Sequence, residues 1–219
     1  MGLLLKLSEF GFSTGILYET IVSTYNPDGT PNAAPMGITL QNEQHLTINI
    51  FNSSKTCRNL QTAKCAVINL TNNIQAFYQT AFKEANPNGK LPLKWFEKAK
   101  VVEAPKLRFA DASVEVKVDN LALLGEEKTE VSLAVQSVEV TKKNPRAPCR
   151  AMTLTLEAIV YATRVKAFIN DPTKQAQVYR LLENISGCSE VVNRVAPNSS
   201  YQLVMTDLQK RISSWRMQS

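Results

Sequence analysis

The stretch from Leu17 to residue 40 constrains the fold of this chain more than any other. Tyr18, Thr20, Ile21, Val22, Thr24 and Tyr25 make residues 17–25 rich in β-branched and aromatic side chains, the composition of a strand. The run meets Asn26-Pro27-Asp28-Gly29, where proline presets one backbone angle and glycine accepts a positive one, so the chain turns back. The returning segment, residues 32–40, is extended but carries Pro35 and Gly37. A strand with neighbours on both sides does not tolerate that pair, so an edge, a bulge or a ligand-facing backbone is expected there.

Further strands follow. In residues 45–51, Leu46, Ile48 and Ile50 alternate with His45, Thr47 and Asn49, the pattern of a half-buried strand. Ser53 or Ser54 then caps a helix over residues 55–63. The run CAVINL, residues 65–70, reads as a buried strand. A helix is expected over residues 73–84, ended by Asn86-Pro87-Asn88-Gly89. Val114, Val116 and Val118 mark one later strand, and Val131, Leu133 and Val135 mark another, with Gly125 turning between them. Six strands in one block predict a small barrel.

Beyond Asn144-Pro145 the character becomes helical. Met152, Leu156, Ile159, Val160 and Thr163 recur at a helical period. Asp171-Pro172 opens a second helix as cap and first residue, with Leu181, Leu182 and Ile185 on its apolar side and Gly187 at its end. Ser199 or Ser200 caps a last helix over residues 201–215. The expected class is therefore α+β, with a barrel domain over residues 1–143 and a helical region over 144–219 packed on it.

Composition narrows the function. No stretch approaches the roughly 18 apolar residues of a membrane span, and Glu9 interrupts the apolar start MGLLLKLSEF. A cytoplasmic protein without membrane contact is expected. Cys57, Cys65, Cys149 and Cys188 form no C-x-x-C pair, and His45 is the single histidine. Structural zinc, a His-based metal site and a Ser-His-Asp triad are accordingly not expected. The net charge of +6 suits an anionic partner. Its basic residues are not interleaved with aromatics, so nucleic acid is the weaker reading.

Two segments have the makings of a site. In the first, Asn32-Ala33-Ala34-Pro35-Met36-Gly37-Ile38, the small residues let a flat ligand approach the backbone. Pro35 also leaves neighbouring amides and carbonyls free for a heteroaromatic edge. In the second, Phe51-Asn52-Ser53-Ser54-Lys55-Thr56-Cys57-Arg58, a strand end runs into a helix start. There free N–H groups, hydroxyls and the charges of Lys55 and Arg58 suit a phosphate. Helix capping alone explains the same serines. The glycines of a P-loop are absent.

The runs ETIVSTYNPDGTPNAAPMGI, FNSSKTCRNL and CAVINL resemble a family of small flavoproteins of formally unknown function, widespread in archaea and present in methylotrophic bacteria. The tail RAPCRAMTLTLEAIVYATRVK is similar to that family's closing helical region. The resemblance implies the FMN-binding split β-barrel shared with flavin reductases and pyridoxine-phosphate oxidases, with a C-terminal helical region. It also implies a homodimer with FMN near the subunit interface. By that likeness the flavin ring lies along Asn32, Ala34, Pro35, Met36, Gly37 and Ile38. The phosphate falls to Ser53, Lys55, Thr56 and Arg58 within the segment that includes Phe51 and Ser54, and Asn69 and Asn72 reach the ring or ribityl chain. The long insertion after Ala76 and the helical tail depart from flavin reductases and leave the electron donor and acceptor open.

The resulting expectation is an FMN-dependent oxidoreductase acting with a small redox partner such as a reduced nicotinamide, a deazaflavin or a pterin. The alternative is a non-catalytic flavin-binding or storage protein, since no side chain stands out as a catalytic acid or base. Cys57 reads as a packed residue before a redox thiol, and His45 as polar surface before a proton donor. Trp95 anchors its loop or stacks on a ligand or partner. Arg150, Glu157 and Arg164, seven residues apart, read as an exposed polar stripe.

Overall fold

Asn26 N–H bonds to the Thr30 carbonyl at 2.9 Å and Gly29 takes a φ of +77°, so the chain reverses where its turn residues demand. The reversal joins β1 (Leu17–Tyr25) to β2 (Pro31–Asn42). The computed structural model describes residues 6–141 and 145–217 and falls into two units, Met1–Pro148 and Cys149–Ser219. The expected change of character at Asn144 lies outside the described residues.

In the first unit, β3 (His45–Phe51), α1 (Lys55–Ala63), β4 (Cys65–Leu70) and α2 (Ile74–Ala81) follow in order. Short strands β5 (Phe96–Lys98) and β6 (Pro105–Leu107) precede the long hairpin of β7 (Ala112–Leu124) and β8 (Lys128–Val140). Six strands close a barrel in the order β1-β2-β3-β8-β7-β4, while β5 and β6 pair separately. Ile38 stands opposite Ile48 and Ile48 opposite Val131; Val22 stands opposite Ile68 and Ile68 opposite Val114. These residues, all 1% exposed or less, fill the barrel by period-two alternation.

The barrel is open along part of one seam. β2 pairs with β3 only from Ile38 onward, although β3 runs on to Phe51 against β8. Within the barrel, residues 31–37 therefore bond to β1 alone. Pro35 is tolerated there because no second neighbour asks for an N–H. The expected edge is present, and the register also shifts between Leu40 and Asn42.

The outer face of β1 and β2 is covered. Ile21 and Ala33 pack with Ala76, Leu91, Phe96 and Leu107, and Trp95 and Phe109 lie against this cluster, 5.2 Å apart edge to face. Trp95 thus anchors its loop. Asn69 fastens β6 to the barrel: its Oδ1 accepts from Leu107 N–H at 2.8 Å, and its Nδ2 donates to the Ile21 carbonyl at 2.8 Å. Buried Glu115 accepts from the backbone N–H groups of Lys100, Val101 and Val102 at 2.6–2.9 Å. It thereby holds the loop between β5 and β6.

The second unit holds α3 (Arg150–Phe168), α4 (Gln175–Val195) and α5 (Ser200–Met217). Two sequence readings are corrected here. The buried side of α3 is Ala151, Ala158, Ala162 and Val165, whereas Met152 and Leu156 are 64% and 60% exposed. Small side chains permit close helix approach, so bulk did not mark the inward face. Gly187 lies inside α4 rather than at its end. Its backbone stays helical, and a single helix glycine costs only about 1 kcal/mol. Arg150, Glu157 and Arg164 are exposed. Among the described residues no helix is long and apolar enough to cross a membrane, and no group of three metal-binding side chains occurs.

Candidate functional site

The amino end of α1 is built by Ser54, whose Oγ accepts from Cys57 N–H at 3.1 Å. This serine cap satisfies one of the free helix-start donors. Ser53, Lys55 and Arg58 stand exposed around it, and Arg58 Nη1 donates to the Ser53 carbonyl at 3.2 Å. Phe51 is 53% exposed and carries the Lys128 ammonium 4.7 Å from its ring centre.

Thr56 differs from expectation. It is 2% exposed, and its hydroxyl accepts from Asn32 Nδ2 at 3.1 Å. Asn32 Nδ2 also contacts Thr24 Oγ1 at 3.3 Å, and Asn59 Nδ2 donates to the same oxygen at 2.9 Å. Thr24, Asn32, Thr56 and Asn59 therefore form a buried polar plug that seats α1 on β1 and β2. Thr56 and Asn59 point inward because the side facing the barrel, with Cys57 and Leu60, must bury. Cys57 is a packed residue, as the sequence suggested.

A cleft of about 370 Å³ opens beside this plug. Its walls include Asp28 and Thr30 of the turn, Asn32 of β2, Lys55 of α1, and Lys83 and Lys90 from the segment after α2. A second cleft, of about 380 Å³, shares Asn26, Asp28 and Lys55 with the first and reaches Arg58 and Thr62. Lys83 Nζ donates to Asn32 Oδ1. Burial, and then the neighbouring Lys55 charge, push the Lys83 ammonium below its ordinary value. The cleft holds one carboxylate, Asp28. It already accepts from Thr30 N–H at 3.0 Å and Thr30 Oγ1 at 2.6 Å. Those bonds, with the Lys55 charge, hold it below the usual carboxylate range. Among the described residues Lys55, Lys83 and Lys90 form no ion pair, so the cleft carries a net positive charge that an anion would balance.

The remaining sequence candidates separate. Ala34, Pro35, Met36 and Gly37 are half-buried along the open seam and do not line the cleft. Gly37 is explained by packing, since a Cβ there would meet Leu17 Cδ2 at 2.7 Å. Ile38 and Ala33 are core residues. Asn69 is spent: both ends of its amide are bonded within the fold and it is 0% exposed. Asn72 is exposed beyond β4. His45 bonds Asn42 Oδ1 at 3.1 Å beside its turn. Lys83 and Lys90 were not singled out from the sequence. Lys83 fell inside the helix expected over residues 73–84, which ends at Ala81, and Lys90 in the proline-broken segment before Trp95.

A closed six-stranded barrel with one open seam and appended helices is the FMN-binding split β-barrel, the fold of flavin-reductase-like proteins. The chain belongs to the family described as protein of unknown function (DUF447) N-terminal domain, whose model matches residues 18–158. Among solved structures it is similar to an FMN-bound protein of that family from Methanosarcina mazei. The two share 24% identity at a TM-score of 0.54, over 93% of this chain and 98% of that one. It is also similar to component B of a nitrilotriacetate monooxygenase from Bacillus cereus, at 16% identity and a TM-score of 0.50, over 68% and 82% of the two chains. No match was found among curated proteins.

Proposed function

We propose that this protein binds FMN and acts as an oxidoreductase toward a small redox partner. The observation that carries this reading is the amino end of α1, where exposed Ser53, Lys55 and Arg58 surround the helix start beside the unpaired edge of β2. FMN ends in a dianionic phosphate, and a helix start with free N–H groups and a lysine is where such a group binds best. Ser53, Lys55 and Arg58 would hold it. The ring would lie along Ala34, Pro35 and Met36, where the open seam leaves one edge of β2 outside the barrel ladder. Asn32 and Thr56 support the site from beneath rather than touching the ligand. The cleft volume falls in the range of small-molecule sites, and the FMN-bound relative from Methanosarcina mazei shares the fold.

Bound flavin supplies the hydride or electron transfer, so the chain's task is to hold and orient the ring. Phe51, exposed two residues before Ser53, and the exposed Leu123 and Leu124 of the β7–β8 hairpin offer an apolar surface for a second copy. This supports a homodimer with flavin near the interface. Equilibrium dialysis against FMN tests binding, and oxidation of NADH or NADPH by the loaded protein, with several acceptors, tests turnover. FMN retained without turnover by any donor would favour storage over catalysis. No FMN retained would end both readings.

A further inference from the structure

Lys55 is a shared wall between two clefts, one reaching Arg58 and Thr62 and the other reaching Lys83 and Lys90. The phosphate seat proposed above uses one lysine and the α1 start. It leaves unexplained two ammonium groups that the insertion after α2 brings to the other cleft. Lys83 is half-buried, held by Asn32 Oδ1, and unpaired with any carboxylate among the described residues. Placing a half-buried ammonium beside a second one is costly unless an anion joins them. Asp28 is the one carboxylate in the cleft and supplies a single negative charge against the three lysines, so positive charge remains unbalanced.

We infer that the Lys83–Lys90 side of the cleft is a second anion seat, which takes the phosphate group of the redox partner while the flavin phosphate stays with Ser53, Lys55 and Arg58. The inference rests on the flavin reading for the identity of its neighbour, but the seat itself follows from charge and geometry. Two phosphates, one in each of the clefts that Lys55 lines, would share its charge, so a phosphate-bearing partner would be placed beside the flavin rather than in its stead.

The test uses inorganic pyrophosphate as the probe, titrated calorimetrically into FMN-loaded protein at low salt, with K83M, K90M and the double variant alongside. The expected result is pyrophosphate binding that weakens at least tenfold in the double variant while FMN affinity changes less than twofold. K90M, altered at an exposed residue, should weaken it severalfold without touching the plug beneath Asn32. Pyrophosphate that does not bind, or binds equally well to all variants, overturns the inference. So does a tenfold loss of FMN affinity in K90M, which would make this side the flavin's own phosphate seat. If the wild-type chain takes up no FMN, the functional reading fails. Pyrophosphate binding to the unloaded protein, lost in the double variant, would still uphold the seat.

Discussion

Lys83 donates a hydrogen bond to the side-chain oxygen of Asn32 across 51 residues of sequence, tying the segment after α2 to the first residues of β2. The same asparagine donates to Thr56, so three separate elements meet at one amide. The lysine cleft rests on a hydrogen-bonded polar plug, and such networks hold their members in one arrangement when every group is satisfied.

The plug and the ligand wall should respond differently to substitution. Thr56→Val leaves the Asn32 amide short of an acceptor inside the fold and is expected to cost about 1–3 kcal/mol. Lys55→Ala, at an exposed position, should leave stability within about 0.5 kcal/mol of wild type. Chemical denaturation midpoints of the two variants separate these outcomes.

Gly37 gives room to its neighbour rather than making a turn. Gly37→Ala brings a methyl to 2.7 Å from Leu17 Cδ2, and since both residues are only half-buried the leucine end can shift, at a cost of about 1 kcal/mol or less. The double variant Gly37→Ala with Leu17→Val should recover part of that loss in thermal denaturation. A double variant less stable than Gly37→Ala alone would assign the glycine another role.

Asn69 gives a third test, of architecture. Its Oδ1 accepts from Leu107 and its Nδ2 serves Ile21 and Ser23, so Asn69→Leu strands several buried groups. A loss of about 2–4 kcal/mol is expected, with the FMN affinity of the folded fraction unchanged. A weakened FMN affinity without loss of stability would restore Asn69 to the ligand site.

Acid stability should depend on Glu139. Hydrogen bonds from Lys106 at 2.6 Å and Lys100 at 3.0 Å hold its carboxyl below the ordinary value of 4.5. Between the folded value and 4.5 the unfolded chain binds more protons. The stabilisation is therefore complete above that range and is lost as pH falls through the folded value. Glu139→Gln is expected to cost about 1–3 kcal/mol at neutral pH and to flatten the decline in acid, as followed by unfolding at a series of pH values.

The barrel was legible because period two survives wherever one face of a strand is buried, as in Leu46, Ile48 and Ile50. The turn at Gly29 was legible from its backbone chemistry, and Pro35 announced the open seam. Other features left no such trace. β5 and β6 span three residues each, too few for any period to register. The inward face of α3 was misread because alanines, not Met152 and Leu156, make the helix contact. At the candidate site, Ser54 and Lys55 stand at the helix start where local sequence put them, but Thr56 is buried rather than exposed, since a helix start does not say which of its residues the barrel end will claim. Lys83 joins Lys55 only through tertiary folding, so no spacing rule could pair them.

The claim on which the rest depends is that FMN is held at the Lys55 corner. The most direct measurement is a titration of the purified protein with FMN, followed by flavin fluorescence, for wild type and Lys55→Ala in parallel. Saturable quenching by wild type, with affinity at least tenfold weaker in the variant and both proteins equally stable, is the predicted result. Equal affinity in the two proteins would place the phosphate elsewhere, and no saturable change with wild type would contradict the account.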